Sequence, residues 1–163
     1  MDKKGSLTDL AFFIVVLLVF SIFVIMGLKI GQVVNDHIQA DTSGMIDSTT
    51  KENTNLAVTK FTYSIDNSFL FLMIFMCIGI LILAALVAVH PIFIPIYFFG
   101  WMFIIFLGGV FSNVYQEMAA STELASTASS LTFIGLIMTY LPIIVGIIGM
   151  VLMVILYKVS QQQ

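Results

Sequence analysis

Few side chains in this chain could do chemistry, and where they gather decides what chemistry to expect. Asp36, His37 and Asp41 lie close together, and an imidazole between carboxylates is a donor set for a divalent metal. A single histidine among acids in a polar stretch reads more simply as solvated, so no metal is expected. His90, directly before Pro91, carries the side chain that titrates nearest neutrality. Its place between two apolar runs makes it a turn residue at headgroup level rather than a proton switch. Ser112 follows Gly108 and Gly109, but no histidine stands where it could activate the hydroxyl. Cys77 sits alone inside an apolar run; it can form no disulfide within the chain and reads as a small hydrophobe. No Walker loop, HExxH, GxSxG, CxxC or pair of membrane aspartates occurs, and those spacings carry most of the chemistry a short motif can announce. Neither a catalytic residue, a cofactor nor an enzymatic activity is expected.

The elements that must position these residues follow from composition. Of 163 residues, 60% are hydrophobic and 9% charged, whereas a soluble domain carries roughly a quarter charged residues. A water-soluble fold of this length has too little polar surface to cover so much apolar side chain. The net charge of −3 offers no basic face for nucleic acid. All of the basic residues are lysines, so no guanidinium fork is available for phosphate or carboxylate recognition. The expected partner is a lipid bilayer.

Four apolar stretches are long enough to cross a ~30 Å hydrocarbon layer as helices of ~20 residues. They run over 10–30, 69–89, 91–111 and 131–157, separated by polar segments 31–68 and 112–130. The expectation is one all-α membrane domain over 1–163, with spans two and three joined as a tight helical hairpin at His90-Pro91. Helix is favoured because it satisfies every backbone polar group within the span. Asp66, Asn67 and Ser68 precede span two and suit a helix N-cap. In segment 31–68 the first helix should emerge past the membrane until Thr42-Ser43-Gly44 breaks it. Residues Thr49 to Thr59 suit either a short surface helix or coil. Beyond them Thr59, Phe61, Tyr63 and Ile65 alternate like a strand, while Phe61, Ile65 and Phe69 keep an i, i+4 spacing that favours helix leading into span two. Segment 112–130, rich in Ser, Thr and Ala, should cap the same side. Span one reads as a permanent anchor, because the nearest small-residue cleavage position, Ala40, lies far beyond the apolar run.

Within the spans the candidates concern packing rather than catalysis. Gly27 and Gly31 form a small-xxx-small pair of the kind that lets helices approach closely. Pro91 opens span three, where a first helical turn tolerates it. Pro142 sits inside span four, near Gly135, Gly146 and Gly149, and should bend that helix to suit its packing. No charge is expected deep in the membrane, which speaks against an ion path or a proton relay. Lys3, Lys4 and Lys158 flank the outer ends of spans one and four, so the positive-inside rule puts both termini in the cytoplasm. Lys29, Lys51 and Lys60 weaken that bias.

The segments Lys4-Gly5-Ser6-Leu7-Thr8-Asp9, Asp66-Asn67-Ser68-Phe69-Leu70-Phe71, His90-Pro91-Ile92-Phe93, Ser112-Asn113-Val114-Tyr115 and Met138-Thr139-Tyr140-Leu141-Pro142-Ile143-Ile144 touch all four spans. In this layout the chain resembles small multi-pass proteins of tailless bacteriophages with an internal membrane. The resemblance implies a component of the virion internal membrane or the host inner membrane. The expected function is non-enzymatic: a structural or assembly protein packing into a multi-copy complex with its own copies, other membrane proteins or capsid proteins. A holin-like pore former and an accessory subunit of a membrane complex are the alternatives.

Overall fold

A computed structural model gives the fold and describes residues 7–86 and 94–161. Its elements are α1 (Leu7–Gln39), α2 (Ser48–Leu86), α3 (Ile94–Ala119), α4 (Ala125–Ser129), α5 (Thr132–Thr139) and α6 (Leu141–Ser160). Four stretches are long and apolar enough to cross a membrane: Ile14–Gln39, Ser48–Ile82, Ile94–Ala119 and Leu141–Val159. The chain is therefore an all-α, multi-pass membrane protein. His90 and Pro91 lie outside the described residues.

Segment 31–68 is not a loop. The 33 residues of α1 reach about 50 Å and the 39 residues of α2 about 58 Å, well beyond a ~30 Å apolar layer. Only residues 40–47 between them are non-helical, and the turn uses Gly44 at φ +76°, a conformation that favours glycine. Helix α2 starts after Asp47, whose carboxylate accepts the Thr50 N–H at 2.9 Å in the manner of an N-cap. Asp66-Asn67-Ser68, expected to begin a helix, lies far inside α2. The threonine-rich stretch stays helical because Thr54, Thr59 and Thr62 turn their hydroxyls back onto the carbonyls of Thr50, Asn55 and Val58, each at 2.9 Å. Polar contacts zip the two helices together outside the apolar stretch. Gln39 donates to the Lys51 carbonyl at 2.7 Å, Lys51 Nζ to the Asp41 carbonyl at 2.5 Å, and Asn35 to Asn55 at 3.4 Å. Deeper in the same antiparallel register Phe20 stacks on Phe69 with ring centroids 6.1 Å apart.

Helix α1 is the most enclosed span: 39% of its most apolar window is buried within the chain, against 17% for α2 and α3. Its buried side chains recur as Ile14, Ser21, Leu28 and Asn35, with Leu17, Leu18, Val24 and Ile25 between, a seven-residue spacing that keeps one face turned inward. Over the described residues α3 packs on α6 and α1, while α2 packs on α1, α5 and α6. Spans two and three, expected side by side as a hairpin, thus make their main contacts with other helices. Small residues explain α3's choice of α6. Gly108 lies against the backbone of Pro142, where an added Cβ would sit 3.5 Å from the proline Cα, and Gly149 lies under Trp101. The indole N–H donates to the Val145 carbonyl at 3.2 Å, so this buried tryptophan clamps α3 to α6.

Span four is two helices. Pro142 has no N–H, and the chain breaks at Tyr140 between α5 and α6. The Ile143 N–H bonds Tyr140 O at 3.0 Å, a tighter turn than α-helix. Thr139 O, which Ile143 would otherwise serve, instead accepts the Ser112 hydroxyl of α3 at 2.8 Å.

Gly149→Ala is expected to expel the indole, because its Cβ would fall 1.8 Å from Trp101 Nε1; overpacking of this kind costs about 1–3 kcal/mol. The chain's single tryptophan reports it: Trp101 emission should become quenchable by brominated lipid and the unfolding temperature should drop. Gly146→Ala, whose Cβ meets Ile105 only at an ordinary 3.9 Å, should change neither. Equal quenching in both variants would show that the clamp does not order this interface.

Candidate functional site

Helix α5 needs a capping oxygen that its own sequence does not supply. Its N-cap residue is Leu131, which makes no side-chain cap. The N–H groups of Phe133 and Ile134, those an N-cap side chain ordinarily takes, are met instead by Asp66 from α2. Asp66 Oδ2 accepts the Phe133 N–H at 2.9 Å and Oδ1 the Ile134 N–H at 2.8 Å. The partly positive end of α5 favours that carboxylate. Asp66 is 6% exposed and lies about 9 Å further along α2 toward the membrane than Lys60. This is a buried carboxylate where none was expected, and the described residues give it no ion pair. The capping role expected of Asp66 is real, but the helix it caps is another one.

The opposite end of α5 is also held by a side chain from elsewhere, since Ser112 serves Thr139 O and in turn accepts the Gln116 side-chain N–H at 3.0 Å. Between the two anchors stands Tyr115, 2% exposed. Its hydroxyl lies 3.8 Å from where a Gly135 Cβ would be and has no hydrogen-bond partner among the described residues. Just outside α5, the Thr127 hydroxyl of α4 donates to Gln32 Oε1 of α1 at 2.5 Å. Side chains from α1, α2 and α3 thus converge on the α4–α5 segment.

The residues singled out in the sequence are spread widely. Gly27 and Gly31 have nothing within 4 Å of a built Cβ, so among the described residues they receive no helix. Gly146 and Gly149 face α3, and Pro142 backs onto Gly108. Asp41 has its oxygens engaged by the Ser43 N–H and hydroxyl and by the Ile46 N–H. The Ser43 hydroxyl first, then its N–H, hold the Asp41 carboxyl below its ordinary value. Among the described residues no three His, Cys, Asp or Glu side chains are grouped to hold a metal. Cys77 borders a small apolar cavity of about 30 Å³ with Ile14, Leu17, Met73 and Val145. A larger, open groove of about 410 Å³ runs beside Tyr115, lined by Gln116, Ala119, Ala128, Gly135 and Thr139; its walls carry no charge.

Sequence reasoning missed Asp66, Ser112 and Tyr115 as one cluster. The sequence carried no signal for it, since Ser129 and Ser130 stand directly before the last apolar run, where a local N-cap would be expected.

Asp66→Ala leaves two buried N–H groups without acceptors and is expected to cost about 1–3 kcal/mol. Hydrogen exchange in nanodiscs should show deprotection beginning at Phe133 and Ile134 while the α3–α6 contact at Trp101 stays protected. Uniform loss across all helices, or none, would show that the cap does not act locally. No protein-family model, curated protein or solved structure matches this chain.

Proposed function

We propose that this chain is a non-enzymatic structural protein that packs into a multi-copy membrane assembly. The observation that carries the reading is the use of its buried polar groups. Ser21, Thr62, Asp66, Ser112, Thr127 and Trp101 all spend hydrogen bonds on the chain's own backbone or side chains. The bonds of Asp66, Ser112, Thr127 and Trp101 tie one helix to another, while those of Ser21 and Thr62 stay within their own helices; a scaffold needs little else. The outward faces support assembly. Phe98, Phe99, Met102, Phe103 and Phe106 of α3 and Ile143, Ile147, Met150 and Val154 of α6 all point away from the core, giving surface for lipid or for neighbouring copies.

The resemblance to proteins of internal-membrane bacteriophages supports placing it in a virion internal membrane or a host inner membrane. The lysine distribution supports cytoplasmic termini. On that reading the hairpin tip around Asp41 and Asp47, together with α4, faces the opposite side, where a capsid protein or another membrane protein would meet it.

Mild extraction followed by blue-native electrophoresis is expected to give one large, defined complex. A monodisperse monomer in several mild detergents would overturn the assembly reading. Inducible expression in a bacterium separates the pore-forming alternative: undisturbed growth fits a scaffold, whereas abrupt lysis with dye entry would replace it by a holin-like activity.

A further inference from the structure

Beyond the scaffold reading, and independent of it, we propose that Met73, Met76 and Cys77 of α2 form a binding site for one soft monovalent metal ion, Cu(I) in particular. The three side chains stand at positions i, i+3 and i+4 of α2. That spacing sets Met76 and Cys77 each about 5–6 Å from Met73 between Cβ atoms. All three line one cavity of about 30 Å³ between α2, α1 and α6. Three sulfur-bearing side chains from one helix thus border a single small space inside the bundle. A methionine side chain has three rotatable bonds and a polarisable thioether, so little rearrangement brings its sulfur onto an ion held there.

The wall of the cavity decides what it can hold. Among the lining residues no side chain carries nitrogen or oxygen; the remainder is aliphatic, with Ile14 and Leu17 from α1 and Val145 from α6. A buried water needs two to four polar partners, and sulfur is a weak one. Hard cations such as Mg²⁺ and Ca²⁺ take oxygen ligands, which these side chains do not supply. Thiolate and thioether ligands together select soft ions, Cu(I) among them. Charge then separates Cu(I) from Zn(II). An uncompensated charge inside a membrane span is costly. One Cu⁺ on the Cys77 thiolate with two neutral thioethers is neutral overall, whereas Zn²⁺ on the same three ligands keeps a net positive charge. On binding, the Cys77 S–H bond breaks, a Cu–S bond forms and the proton leaves to the medium. Copper stays Cu(I) throughout.

The test is competition for Cu(I) between the full-length protein in lipid nanodiscs and the chelator bicinchoninate, under a reducing atmosphere. Wild type is expected to withdraw one equivalent of Cu(I) per chain, and bound Cu(I) should block Cys77 from a membrane-permeant maleimide. Zn(II) should do neither. Cys77→Ser should lose the ion. Met73→Leu and Met76→Leu, which conserve core volume, should each surrender it at a chelator concentration where wild type retains it. Met102→Leu and Met150→Leu, at positions 53% and 64% exposed, should bind as wild type does. Failure of wild type to withdraw Cu(I) overturns the site, as does equal protection of Cys77 by Zn(II). Wild-type retention in both Met73→Leu and Met76→Leu also overturns it, because the ion would then rest on the thiol alone. Should Cys77→Ser fail to accumulate, the two methionine variants decide the matter by themselves. None of these readouts depends on the state of assembly, which the electrophoretic test addresses separately.

Discussion

A short helix cannot begin inside a bundle of apolar helices unless something accepts its first N–H groups, and here that acceptor is a carboxylate from a different span. An N–H buried among apolar side chains cannot count on water, and each one left bare costs roughly the desolvation of an amide. The Asp66 bonds to Phe133 and Ile134 meet the need, and several other features depend on them. They set α5 against α2, and α5 in turn brings Pro142 to Gly108 and Thr139 to Ser112. The α3–α6 interface below, with Trp101 over Gly149, continues the same antiparallel alignment.

The same logic recurs at two further departures from regular helix. Pro142 cannot donate, Ile143 shifts its bond to Tyr140, and Ser112 fills the place left open at Thr139. At the hairpin tip Asp41 satisfies the N–H groups of Ser43 and Ile46, and Asp47 opens α2. Each of these irregularities is matched by a side chain of the right polarity. The exposed substitutes come from the same turn, whereas the buried ones come from a different helix. That division is physical. A tip in water tolerates a weak local cap, because solvent makes up any deficit; a buried end requires an acceptor placed by tertiary packing.

This also explains what could be read from the sequence. Membrane residence and the four spans were legible because apolar runs of that length, carrying no charge but Lys29, have few other uses. Helix rather than loop across Ser48–Asp66 was only half legible: the Phe61, Ile65, Phe69 spacing favoured it, but the alternation from Thr59 to Ile65 argued against it. The inward stripe turned out to be Thr62, Asp66, Phe69 and Met73, and two of its four members are polar, which hides it from a hydrophobic pattern. The cap on α5 was illegible because its donor and acceptor are 67 and 68 residues apart. The helical partners of each span could not be deduced either, since Gly108 and Gly149 announce a close approach without saying to what.

Polar residues on that inward stripe set a limit on how the bundle can vary. An aliphatic residue at Thr62 would lose a bond confined to its own helix, since the hydroxyl goes back to Val58 O, and the loss is modest because that carbonyl keeps its helical donor. An aliphatic residue at Asp66 would strand groups on α5, which has no local substitute. Two side chains on one face, equally buried and equally polar, therefore carry different weight. What separates them is whether the bonded group belongs to the helix that supplies the oxygen or to a helix that would otherwise have none.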